Sequence, residues 1–190
     1  MTIYAIALFV HVLGALGLFV ALGLEWTGLR ALRRATTAAQ AQERAAAYAI
    51  IPRLYAPAAG AILLPGLYMT ATVWGWGAGW PGVALGALVL LAALGAALTG
   101  SRMAAIGRAS AAESGPLSPA LRQQVRDPML WTSVQTRAAI AVGVVFLMTV
   151  KPNLGGALLT IGVAAILGLA SAVPTWSRDG VDDRAIDPAT

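Results

Sequence analysis

Apolar residues fall into five long runs separated by polar stretches that carry the arginines. The hydrocarbon core of a bilayer is about 30 Å thick, so a helix needs roughly 20 apolar residues to cross it. Residues 3–24, 54–74, 83–99, 130–150 and 154–173 meet or approach that length, which predicts an all-α, five-span membrane bundle forming one domain over 1–174. The first run has no basic residue before it and is long enough to span, so it reads as a span and not as a cleaved signal. Pro57 suits the first turn of span two, and Pro65-Gly66 predicts a kink in its middle. Span three offers Gly82, Gly86 and Gly95 for close helix contacts, and Ala164, Gly168 and Ala172 in span five repeat every fourth position as a packing face.

The connections differ in kind. Thr27 to Arg53 is rich in helix formers, so the first helix is expected to run on past the membrane, turn and return. The stretch Trp74 to Gly82 holds three tryptophans, no charge and several turn residues, as expected of a short loop at the membrane surface. Asp127-Pro128 predicts a capped start for span four. The corner Phe146 to Leu154 turns span four into span five around Lys151-Pro152, the lysine being the only one in the chain. Pro174 is expected to end the last span, and residues 175–190 read as a disordered cytoplasmic tail.

Composition supports a lipid-facing surface. Of 190 residues, 58% are hydrophobic and 11% are charged, with mean hydropathy +0.75. A soluble domain carries about a quarter charged residues. The net charge of +5 comes from arginines flanking apolar runs, so it points to lipid and not to nucleic acid. Twelve of the thirteen cations fall in two polar segments and the tail, leaving Lys151 alone on the other side. That bias predicts an outside N-terminus and a cytoplasmic C-terminus. Arg30, Arg33 and Arg34 read as anchors on lipid phosphates.

Few residues carry chemistry. There is no cysteine and a single histidine, so thiolate sites and sites needing two imidazoles are excluded. Intramembrane polar groups remain as candidates. At 1.5 Å per residue, His11 lies about 12 Å below the outer boundary, at a depth similar to Pro65. Met69, Met148 and Lys151 share that outer half. A histidine with thioethers is a donor set for haem iron or copper, with His11 as the metal ligand. A histidine bonded to a backbone carbonyl explains the residue equally. Glu25 at the inner end of span one and Arg137 in span four form a second candidate pair. An ion pair is the simplest reading; snorkelling of Arg137 or a proton relay are alternatives.

His11-Val12-Leu13-Gly14, together with Phe146-Leu147-Met148-Thr149-Val150-Lys151-Pro152, resembles the opening and the span-four ending of small bacterial membrane proteins of the uncharacterised DUF2269 type. The likeness covers about residues 1–154. More distantly the chain is similar to copper-resistance D-type proteins and to HemJ-type haem-binding protoporphyrinogen oxidases. Leu18 and Phe19 stand where the latter have a tryptophan. The resemblance implies a bacterial cytoplasmic-membrane protein with a haem or copper site using His11. Three activities stay open: a haem- or copper-binding accessory or redox protein, a non-catalytic assembly bundle that joins other membrane proteins or further copies of itself, and a small transporter. Enzymatic activity requires a cofactor, because the residues alone supply no acid–base pair.

Overall fold

A computed structural model describes the backbone of residues 2–185 and the side chains through Pro174. It is all-helical, and five helical rods are long and apolar enough to cross a membrane.

Helix α1 (Ile3–Arg33) is capped by the Thr2 hydroxyl. Its 31 residues span about 46 Å at 1.5 Å each, which is longer than the hydrocarbon core. The excess is the arginine-bearing end. Thr37 caps α2 (Ala38–Tyr48), and a two-residue break leads into α3 (Ile51–Met69). Pro52, not Pro57, occupies the first turn of α3, so this helix begins three residues before the expected span and holds both Pro57 and Pro65 inside it. A π-helical turn at Thr70–Trp74 ends the rod. Gly75 and Gly79, both at φ near +75°, shape the tryptophan loop; a side chain at Gly79 would press on Leu154 at 3.0 Å.

Helix α4 (Trp80–Leu94) passes through a π-helical segment, Gly95–Gly100, into α5 (Ser101–Ala111), one rod well beyond the expected 83–99. After the short α6 (Pro119–Val125), Asp127 caps α7 (Pro128–Val150) by accepting from the Met129 amide at 2.8 Å. Lys151 closes α7 in the left-handed conformation, φ 51°, and Pro152 prevents continuation. Helix α8 runs Leu154–Ala185. The expected stop at Pro174 is therefore corrected: an internal proline forfeits one backbone hydrogen bond without having to end the helix. Of the expected tail, residues 186–190 lie outside the described residues.

Helix α7 is the axis. Half of its apolar window is buried, against 11–22% in the other four rods. It packs on α8, α4, the Gly95–Gly100 segment and α1, while α3 packs on α1. No comparable packed seam joins α3 to α4. The glycine expectations divide. A Cβ at Gly168 would lie 2.6 Å from the Thr136 backbone, and one at Gly143 3.0 Å from Ala164, so the small face of α8 is already buried on α7. Gly95 is also close-packed, but Gly82 and Gly86 touch nothing within 4 Å, which corrects the expected contacts there. α4 makes its close approach to α7 with another face.

The polar segments form a helical cap and not loops. α2 lies on α5 through Ala38, Ala41, Ala45, Met103 and Ile106, all buried. A short bridge pairs Thr37 with Pro116, and Leu32, Leu121 and Val125 complete this core. Water supplies a hydrophobic driving force here that is missing between helices in lipid, and Leu32, Ile106, Leu121 and Val125 are almost fully buried at this end. The arginines are partly tied into it. Arg30 and Arg33 lie over the Trp131 ring at 5.9 and 5.7 Å, and Arg33 donates to the Arg126 carbonyl at 3.3 Å. Anchoring to lipid phosphate is thus not the whole role of these two side chains.

Candidate functional site

Two cavities flank α1, and each holds one of the polar groups singled out above. Their walls meet at Leu18, Leu88 and Leu91.

The cavity at the tryptophan-loop end, the outer one in the expected orientation, is about 490 Å³ and is lined by His11, Met69, Met148 and three tryptophans, Trp74, Trp76 and Trp80. His11 is positioned by the α1–α3 seam. One turn along α1, Gly14 permits the closest backbone approach in that seam: a Cβ there would sit 2.8 Å from Ile62 N. That proximity brings the His11 Nδ1 within 2.8 Å of the Ile62 carbonyl. A carbonyl only accepts, so Nδ1 carries a proton, and in the neutral ring Nε2 keeps its lone pair. Gly66, beside Pro65, leaves room for the ring: a Cβ there would meet His11 Cε1 at 3.3 Å. Of the two expected roles the carbonyl bond is the one observed; it leaves the ligand role open, since a carbonyl bond at Nδ1 is the usual support for a histidine that ligates through the other nitrogen.

Lys151 does not line this cavity. Its exposed ammonium stacks on Trp74, 4.0 Å from the ring centroid, and Trp74 is part of the wall. The left-handed corner at Lys151 directs the side chain back along α7 toward that ring. Among the described residues no three His, Cys, Asp or Glu side chains gather as a metal cluster.

The inner cavity, about 530 Å³, is lined by Tyr48, Tyr55, Gly95 and Arg137 among leucines and alanines. Arg137 Nη2 forms an ion pair with Glu25 Oε1 and donates to Thr99 Oγ1 at 3.1 Å. Glu25 is 0% exposed and Arg137 3%. Tyr55 donates to the other Glu25 oxygen at 2.6 Å, and Tyr48 donates to Oε1 at 3.4 Å. Thr99 in turn donates to Ser133 Oγ at 2.9 Å. A buried carboxylate and guanidinium are tolerable only when paired and hydrogen-bonded, and this network supplies both conditions. Arg137 does not snorkel. Its Nε is left without a hydrogen-bond partner.

Sequence reasoning named Glu25 and Arg137 but missed Tyr48, Tyr55, Thr99 and Ser133. Tyr48 ends α2 and Tyr55 lies in the second turn of α3, across a two-residue break, so no single helical spacing in the sequence joins them.

The fold and its lipid-facing surface define an all-helical, multi-pass membrane protein. Comparison with known proteins finds no matching family model, no matching curated protein and no matching solved structure.

Proposed function

We propose that this chain is a haem-binding protein of the bacterial cytoplasmic membrane, with its N-terminus outside, its C-terminus in the cytosol and His11 as the residue that would hold the iron. The orientation follows from the placement of twelve of thirteen cations on one side. The resemblance of the His11–Gly14 and Lys151-Pro152 motifs points the same way.

The observation that carries the reading is the His11 tautomer. Its Nδ1 is occupied by the Ile62 carbonyl, and the ring borders an apolar, aromatic cavity of about 490 Å³ with its Nε2 lone pair free for iron. A cavity of this size suits a flat macrocycle. A bare copper ion needs several donors of its own, and one imidazole with two thioethers is a sparse set, so copper ranks second. Met69 and Met148, which line the same cavity, would be the candidates for a second ligand, and Lys151, beside the wall residue Trp74, for the counter-ion to a carboxylate on the group. When bound, the group supplies one-electron chemistry. The chain's own residues orient it and keep water away.

The test is an absorption spectrum with iron and copper analysis of the detergent-purified protein, beside His11→Ala and Met148→Leu. A Soret band lost in His11→Ala, and shifted or weakened in Met148→Leu, is expected. Stoichiometric copper without a Soret band would move the site to the second reading. A colourless, metal-free protein after expression with added haem would overturn both.

A further inference from the structure

The inner cavity is built differently from the outer one and asks for a different ligand. We infer that it binds a neutral, lipid-soluble carbonyl compound of the quinone class, through the free N–H groups of Arg137.

The donor is present and incompletely used. Arg137 is 97% buried by its 3% exposure, and its Nε has no hydrogen-bond partner. Its Nη1 reaches the Tyr55 oxygen only at 3.5 Å. On the other side of Nη1 the wall is a glycine: a Cβ at Gly95 would stand 2.9 Å away. A buried guanidinium with unused donors is costly, and an acceptor oxygen beside it offsets that cost. The helix opposite departs from α geometry at this point, since the π-helical segment Gly95–Gly100 begins there, and such departures recur at binding sites.

Charge selects the head group. Glu25 already neutralises Arg137, and the tyrosine hydroxyls donate to Glu25. A second anion would be buried without a counter-ion. Besides Arg137 the lining contains no cation that would receive a phosphate, so a phospholipid head is disfavoured. A carbonyl oxygen on a flat apolar ring satisfies the spare N–H groups without adding charge. Entry is lateral. Ala56 of α3, Ala92 of α4 and Ala96 of the Gly95–Gly100 segment line the cavity and are exposed, and no packed seam joins α3 to α4, so an apolar tail passes between them into the bilayer.

The test uses the full chain in detergent and decylubiquinone as probe, with bound quinone measured by its absorbance after separation of free probe. Three variants are compared. Gly95→Val presses on Nη1, since even a Cβ there would stand 2.9 Å from it. Ala92→Phe narrows the cavity from an exposed wall position that the fold does not need. His11→Ala removes the outer-site ligand. We expect one quinone per chain, affinity lowered at least tenfold by Ala92→Phe and Gly95→Val, and no change in His11→Ala. That last comparison separates this site from the haem reading, which stands or falls on its own spectrum. If Gly95→Val misfolds by circular dichroism, Ala92→Phe decides. Equal binding to all four proteins, displacement of the probe by phosphatidylglycerol, or no binding at all would each overturn the inference.

Discussion

Arg137 shows how far one side chain's surroundings decide its role. An arginine in the middle of an apolar helix is expensive in lipid, and it is retained here because Glu25, Thr99 and Tyr55 surround it. Removing one partner should therefore cost far more than removing both. Glu25→Gln or Arg137→Met alone should destabilise the protein by about 3–5 kcal/mol, with the double variant recovering much of that loss. Equilibrium unfolding in mixed micelles, read as a double-mutant cycle, checks this; additive losses would mean that the two groups are not coupled. His11 is the opposite case. Its single bond to Ile62 fixes the tautomer without sealing the ring away, because the residue stays half-buried against a cavity.

At the scale of elements, helix packing in lipid depends on close approach and not on water exclusion. The α7–α8 pair rests on Gly143, which faces Ala164, and on Gly168, and an added Cβ at either glycine would collide with the facing helix. Gly168→Leu should lower stability by roughly 1–3 kcal/mol or more, since the obstacle is Thr136 backbone and cannot swing aside. Gly162→Leu, on the same helix but with nothing within 4 Å, should be near neutral. Thermal unfolding of the two variants in one detergent compares them directly. The α8 small face that an assembly partner could use is occupied within the chain, whereas the positions of Gly82 and Gly86 on α4 are uncovered. The cap made by α2, α5 and α6 follows the other rule: its alanines and leucines are buried because water faces that end.

For the molecule as a whole, five crossings would put the two termini on opposite sides, and the proposed orientation takes the arginine-rich side as the cytosol. A cysteine introduced at Gly79 should react with an impermeant maleimide in intact cells, whereas one at Ser114 should react only after lysis. The reverse pattern would invert the orientation.

Much of this architecture was legible in the residue pattern. The five apolar rods, the tryptophan loop, the Asp127 cap and the Lys151-Pro152 corner follow from local rules of length, turn chemistry and capping. The spacing of His11 and Gly14 also put both on one face of α1, although it did not name α3 as the face they meet. The ends of the rods were misjudged at Pro57, Pro174 and Ser101 because a bilayer limits how long an apolar run must be and sets no limit on the helix that carries it. What only the tertiary structure decided is which polar groups meet. Glu25 and Arg137 are 112 positions apart, Tyr48 and Tyr55 reach them from two further helices, and the unfilled space between α3 and α4 belongs to no segment. Hydropathy is a property of each residue and is summed along the chain. A hydrogen-bond network and a cavity exist only between helices, and their positions are set by where glycines allow the backbones to close.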